Sequence, residues 1–398
     1  MPELEFSGYR RDDGRIGVRN HVAVLPTSVT ASKIAEAIAV EVGEPARATP
    51  HQMGASQPEP ARKQTERTIV GTGRNPNVGA AVVVELGTED IDAESVADDI
   101  SRSGKPVETL SIRDLGGTRN AIDRGAEVVE GLAEEIEGVR RETADASELV
   151  FGVECGGSDA TSGIAANPAV GNACDRLVEA GGTASFSETP EFIGAEHVLA
   201  ERCEDPDVEE RLLERVQTRE NQAKLMGVDL RGAQPTPGNQ EGGLSTIEEK
   251  SLGAISKGGT TTVEGMVDYA EDLPVGEGLV LMDTPGYDVE SVVGMVAGGA
   301  QVVAFTTGRG STTGNPIAPV IKVTGNPKTW DRMAENMDVN ASTVIEGESL
   351  SSVGDRIFDE LLAVADGKRT EAEKRRIEEY AINEIQPVEI GNLGGEVA

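Results

Sequence analysis

The chain has 398 residues, 70 of them acidic against 36 basic, for a formal net charge of −34 at pH 7. A field of that sign repels phosphate backbones and excludes nucleic acid as a partner, and no apolar run is long enough to span a membrane. Three cysteines, at positions 155, 174 and 203, cannot build a disulfide framework and lack paired zinc-ribbon spacings. The charged N-terminus shows no apolar signal segment, so a reducing, cytoplasmic compartment is expected. The acidic excess is spread along the chain and arginine outnumbers lysine. That pattern fits a halophilic surface on which counterions screen self-repulsion, and no local acidic block marks a docking face for a basic partner.

In chain order, Gly8 to Asn20 (GYRRDDGRIGVRN) is a basic, glycine-punctuated entry into the strand HVAVLP. It reads either as a solvated turn before an edge strand or as Arg15, Arg19 and Asn20 reaching a carboxylate, which arginine's planar fork suits. A helix is expected over 31–42, with Ile34, Ile38 and Val42 on one face, then the polar loop ATPHQMGASQ holding His51. AAVVVEL at 80–86 reads as a buried parallel strand. It is followed by a helix over 93–103, the strand PVETLSI and a helix over 118–142, so that residues 1–147 form a first α/β domain.

Phe151 to Glu191 (FGVECGGSDATSGIAANPAVGNACDRLVEAGGTASFSETPE) opens a second α/β domain over 148–370 and reads as strand, glycine loop, helix, strand and a further helix start. Polar groups gather where its strands end: Glu154, Cys155, Ser158 and Asp159 after the first, Ser187, Glu188 and Glu191 after the second. In open α/β sheets ligands bind at that carboxyl-end edge. Helices are expected over 190–203 and 208–225, then the loop GNQEGG, whose glycines imply close backbone approach. Ser245 with Glu248 three residues on reads as a capping box. Three more strands follow, GLVLM ending at Asp283 and Thr284, QVVAF ending at Thr306, Thr307 and Arg309, and APVIKVT carrying Lys322 with Asn326 after it. Residues 371–398 are expected to form a helical tail whose last residues fray or dock on a neighbour. The fold class is therefore α/β, two Rossmann-like domains with mainly parallel sheets flanked by helices. No complete GxGxxG follows a strand and no Walker lysine pattern occurs, so a nucleotide cofactor is not expected.

The blocks GYRRDDGRIGVRN, NPNVGAAVVVELGTE, ECGGSDATSGIAANPAVG, FSETPEFIGAEH, GNQEGGLSTIEEKSLGAISKGG, MDTPGYDVES and FTTGRGS, in this order, resemble the altronate and galactarate dehydratases of sugar-acid breakdown. The resemblance implies a lyase that removes water from an aldonate or aldarate to give a 2-keto-3-deoxy sugar acid. Alternatives are a sulfo-lyase acting on 3-sulfolactate and a hydrolase of a sugar-acid-derived diketo acid. Those dehydratases carry a small domain ahead of the first block, so that domain is expected to be either absent or supplied by a separate small partner subunit, and a homo-oligomer is expected. Where family members have cysteines, this chain shows Thr30 or Ala31, Ala55 and Thr88, and only Cys155 stays. Iron, or another divalent metal, is implied by the family, but thiolates bind iron far better than hydroxyls or methyls do, so this protein is expected to bind metal differently, to bind it weakly or to work by other chemistry.

Such an elimination needs a base for the proton α to a carboxylate, stabilisation of the charge that develops there, and an acid for the leaving group. Glu154, Asp159, Glu188 and Asp283 are candidate oxygen ligands or acid–base groups, weighed against solvated carboxylates in a very acidic protein. His51 and Lys250 are candidate bases, with Glu154 and Glu188 completing the catalytic set. Glu154, Cys155 and Asp283 are the candidate metal ligands. Arg19, Asn20, Ser158, Asp159, Ser187, Thr284 and Arg309 are candidates for binding the sugar acid or hydroxy acid, with the arginines as carboxylate clamps. Cys174 and Cys203 fall in expected helices and read as packed.

Overall fold

A computed structural model describes residues 4–385 and shows three sheets flanked by helices. The smallest joins β1 (Glu5–Arg10) antiparallel to β2 (Ile16–Gly17) on one side and β7 (Glu142–Asp145) on the other. A four-stranded parallel sheet has the order β4 (Ala46–Ala48), β3 (His21–Pro26), β5 (Val78–Glu85), β6 (Val107–Ser111). The largest runs β10 (Val263–Val267), β11 (Gly278–Met282), β9 (Thr183–Phe186), β8 (Val150–Cys155), β12 (Val302–Thr306), β13 (Val320–Thr324), β14 (Val339–Asn340), with every pairing parallel. The α/β class with mainly parallel sheets is therefore as expected.

Strand order fixes where each parallel sheet opens. From β8 the chain crosses to β9 on one side, whereas from β12, which lies against the other side of β8, it crosses away to β13. The connections diverge between β8 and β12, which makes a crevice at their carboxyl ends. The four-stranded sheet has the same device between β3 and β5, since β3 leads to β4 and β5 leads to β6 on opposite sides.

The core strands are apolar because both faces are covered: all six residues of β3 and all six of β8 are buried. HVAVLP is consequently an inner strand, not an edge one. Helix Glu59–Arg74 has no counterpart in the sequence reading, because its inner face is threonine and glycine. The hydroxyls of Thr65, Thr68 and Thr72 bond back to carbonyls four residues earlier. At Gly71 a Cβ would lie 2.4 Å from the Ala297 carbonyl oxygen, so only glycine lets this helix meet Asp288–Ala297 so closely. Asn75 and Asn77 extend the junction, donating to the Val296, Ala300, Gln301 and Ile317 carbonyls.

Other boundaries differ from expectation. The helix at 118 ends at Glu137, and the next residues leave it to form β7. The single helix expected over 190–203 is a 3₁₀ turn, Thr189–Phe192, and a short helix, Glu196–Ala200, separated by Gly194 at φ 98°. The helix expected from Ser245 is capped one residue later by Thr246, whose hydroxyl accepts the Glu249 N–H, while Ser245 bonds the Glu249 carboxylate. In the tail, helix is confined to Glu371–Lys374 among the described residues; the chain then lays Tyr380 and Ile382 against the apolar cluster behind the four-stranded sheet. The final stretch expected to fray or dock lies outside the described residues.

Candidate active site

The crevice of the seven-stranded sheet gathers most of the ionisable residues that the strand ends pointed to. β8 delivers Glu154 and Cys155, and the turn after β9 delivers Ser187, Glu188 and Glu191. The helix Ile247–Ile255 contributes Lys250, and the 3₁₀ turn Ser256–Gly258 that continues it contributes Lys257.

Lys257 is the hub. Its side chain is fully buried, and its ammonium donates to Glu188 Oε2 at 2.9 Å and to Cys155 Sγ at 3.2 Å. Glu154 Oε1 lies 3.7 Å away and Glu191 Oε2 4.0 Å. Lys250 salt-bridges Glu191 from the outer side at 3.0 Å and donates to Gln234. Cys155 Sγ lies 3.5 Å from Glu191 and 3.9 Å from Glu188. Behind them, Glu154 takes its own neighbour's N–H at Cys155 and hydroxyl donors from Ser187 and Ser291, while Thr284 Oγ1 accepts the Glu188 N–H.

Burial and crowding set the protonation of the cluster. Burial, then Glu154 and Glu191, raise the Glu188 carboxyl well above the carboxylate range. Burial would raise Glu191 too, but Lys250 and Lys257 overcome it and hold that carboxyl down at about 2. For Lys257, burial opposes the charge, and Cys155, Glu188, Glu154 and Glu191 outweigh it, so the ammonium persists. Burial pushes the Cys155 thiol up to about 12 against the pull of Lys257. Glu188 also has φ 72°, a left-handed backbone rare for a side-chain-bearing residue and typical of strained functional positions.

The loops after β8 and β12 form the rim. Arg309 N–H donates to the Gly157 carbonyl at 2.9 Å, and the exposed Arg309 guanidinium makes no hydrogen bond among the described residues. At Gly156 a Cβ would lie 1.8 Å from Asp288 Oδ2, so the missing side chain is what lets Asp288 approach this loop. Burial, then Glu154 and Glu191, raise the Asp288 carboxyl to about 7. The glycines of GNQEGG do permit close approach: a Cβ at Gly242 would lie 2.7 Å from Asp159, and Ala160 N–H donates to the Gly242 carbonyl.

Most of the other expected residues have their side chains engaged within the protein. Asp159 begins its helix by accepting the Thr161 and Ser162 N–H groups, and its second oxygen accepts from Asn326. The Ser158 carbonyl accepts from Asn239. Asp283 accepts from Thr189 and Arg219 and lines a separate cleft with Arg67 and Arg215, whereas the carboxylates that lie with the Cys155 sulfur are Glu188 and Glu191. Arg19 is buried with its guanidinium on Glu373 and on the Val18, Val364 and Lys368 carbonyls. Asn20 accepts from Arg11 and donates to the Ile136 carbonyl. His51 sits at the end of the four-stranded sheet with both ring nitrogens on main-chain groups, Nε2 to the Pro26 carbonyl and Nδ1 to the Met53 N–H, and burial lowers it to about 4.

Cys155, Glu188 and Glu191 offer one sulfur and two oxygens within 4.8 Å of one another. One thiol and two carboxylates suit a divalent transition metal, so the residues fit the family's implied cation once the Lys257 ammonium among them is reckoned with. Lys257 was not singled out in the sequence, although it stands seven residues after Lys250, on the same face of one helical run.

A parallel-sheet switch point lined by carboxylates, a thiol and two lysines, with an arginine at its rim, is the kind of crevice in which open α/β sheets bind small ligands. Comparison with known proteins agrees: the chain matches the family models "D-galactarate dehydratase/Altronate hydrolase, second domain" over residues 8–137 and "D-galactarate/Altronate dehydratase, C-terminal" over 146–388. It belongs to that dehydratase family. It is 41% identical to the (2R)-sulfolactate sulfo-lyase subunit beta of Chromohalobacter salexigens, over 96% of this chain and 97% of that one. It is 34% identical to the galactarate dehydratase (L-threo-forming) of Escherichia coli, over 93% of this chain and 75% of the relative. With the altronate dehydratase of Bacillus subtilis the figures are 32%, 95% and 77%.

Proposed function

We propose that the chain is the catalytic subunit of a lyase that eliminates a β-leaving group from a 2-hydroxycarboxylic acid, with water leaving from a sugar acid to give a 2-keto-3-deoxy acid. The observation that carries this reading is the buried cluster of Glu154, Cys155, Glu188, Glu191, Lys250 and Lys257 at the switch point, beneath an arginine whose guanidinium has no hydrogen bond among the described residues.

Arg309 binds the substrate carboxylate through its planar fork. Asp288, its carboxyl near 7, takes the α-proton, since a base works best when its pKa lies near the operating pH. Lys250, which burial disfavours as an ammonium but Glu191 keeps protonated, is placed to hydrogen-bond the departing hydroxyl. Ser187, Ser291 and Thr284 hold Glu154 and the Glu188 backbone in place. Cys155, Glu188 and Glu191 would hold a divalent metal, which when bound supplies positive charge to stabilise the enolate.

A second reading, elimination of sulfite from sulfolactate, is supported by the 41% identity to a sulfo-lyase subunit beta. That relative's name also supports a partner chain, so the assay is run with the small subunit captured from the native cell. Purified protein with that partner is screened against aldonates, aldarates and 3-sulfolactate, with and without Fe(II), for 2-oxo acid and sulfite. A 2-oxo acid from a sugar acid supports dehydration; sulfite from sulfolactate transfers the reading to the sulfo-lyase; neither product would falsify both.

A further inference from the structure

We propose that the Lys257 ammonium is a built-in competitor for the cation site, which sets how tightly a divalent metal is held and restricts the site to metals that gain from the Cys155 sulfur. The inference rests on the three-donor cation site proposed above and not on which substrate is consumed.

Three observations carry it. The ammonium lies within hydrogen-bond reach of two of the three donors, Glu188 Oε2 at 2.9 Å and Cys155 Sγ at 3.2 Å, with the third, Glu191 Oε2, at 4.0 Å. A metal held by those same atoms would bring two positive charges into one small, water-poor space. The lysine is also anchored: its side chain is fully buried, its carbonyl accepts from Cys174, and a Cβ on the adjoining Gly258 would lie 2.3 Å from the Phe186 ring. Lys250 contrasts with it, being partly exposed and outside the donor triangle.

The competition has a chemical direction. Hard cations such as Mg²⁺ gain from the two carboxylates alone, which already pair with Lys257 at Glu188 and with Lys250 at Glu191. Thiophilic cations such as Fe²⁺, Co²⁺ and Zn²⁺ gain in addition from the sulfur. Lys257 thus acts as a selectivity element.

The test is anaerobic titration of the full chain with Co²⁺ and with Mg²⁺, followed by calorimetry and, for Co²⁺, by thiolate charge-transfer absorption. Lys257→Met should bind Co²⁺ at least about tenfold more tightly than wild type and acquire measurable Mg²⁺ binding; Lys257→Arg, which keeps the charge, should not. Cys155→Ser should abolish the absorption band and so confirm the site. If Co²⁺ binds wild type at Cys155 but Lys257→Met binds it equally or more weakly, the inference is overturned while the cation site stands. If neither protein binds Co²⁺, the cation site itself falls and takes the inference with it. Should Lys257→Met be unfolded without metal, refolding at Co²⁺ concentrations below those that saturate wild type supports the inference. Failure to refold at saturating Co²⁺ contradicts it.

Discussion

The two parallel sheets open the same kind of crevice and fill it differently. In the four-stranded sheet the space between the ends of β3 and β5 is taken by the chain's own Glu89. Its carboxylate accepts the N–H groups of Leu86, Gly87 and Thr88 and the hydroxyls of Thr27 and Ser28. Burial would raise that carboxyl, but the backbone donors and Thr27 bring it down to about 2. Thr88, where the resemblance places a cysteine, and Thr30, one of two positions (with Ala31) for another, join the same network through Glu89 and Ser28. In the seven-stranded sheet Asp159 is tied down in the same way, but the ionisable cluster is not: three glutamates share one buried ammonium, and Asp288 and Arg309 face the rim. A polar strand end is therefore not by itself a site. The difference is whether its charges are spent on backbone or held against one another, where low dielectric makes them responsive to a ligand.

The sharpest way to break this contrast is to remove one carboxylate from each crevice. Glu188→Gln should lower turnover about 10²–10⁴-fold, the range for a charged group acting directly in proton or cation chemistry, with the fold intact by circular dichroism. A variant that turns over like wild type would show that the second crevice is as inert as the first.

Next in size are changes at the Gly156–Asp288 contact. Asp288→Asn should cost about 10²-fold in kcat. Gly156→Ala, whose new methyl takes the place of Asp288 Oδ2, should reproduce most of that loss without touching the carboxyl. Equal activity in the alanine variant would remove Asp288 from the reaction.

Arg309→Lys should raise KM about tenfold with little change in kcat, because an ammonium cannot replace a two-pronged contact to a carboxylate. A fall in kcat at unchanged KM would assign Arg309 to the chemical step instead.

The smallest effect belongs to the first crevice and is one of stability. Glu89→Gln should lose about 1–3 kcal/mol in urea unfolding, the cost of weakened donors to a charged acceptor, and leave turnover unchanged. The sign of its pH dependence follows from the lowered carboxyl. Wild-type stability from this group is present above the ordinary glutamate range and is lost as pH falls toward 2, and the glutamine variant should lack that loss. A variant with no turnover would move function into the four-stranded sheet.

Much of the architecture was legible because buried parallel strands are continuous apolar runs: VGAAVVVE, VFGVEC and VVAFT could be little else. The antiparallel sheet was not, since β2 and β7 are short, β7 is largely exposed, and β7 pairs with β1 across more than a hundred residues of chain. Helix Glu59–Arg74 was hidden because its packing relies on glycine and self-satisfied threonines, which read as loop. Of the site, Glu154, Cys155, Glu188, Lys250 and Arg309 were legible as polar residues at strand ends or in family blocks. Lys257 was not, because a lysine between serine and glycine looks solvated until the turn carries it inside. Arg19 and His51 looked available for the opposite reason, as a sequence does not reveal that main-chain groups and Glu373 already engage their nitrogens.

The central claim is that elimination takes place at the crevice of the seven-stranded sheet. Its most direct test compares 2-oxo acid formation by wild type and Glu188→Gln, each with the captured partner, on whichever acid the screen identifies. The account predicts product from wild type and at least a hundredfold less from the variant; equal product from the two would contradict it.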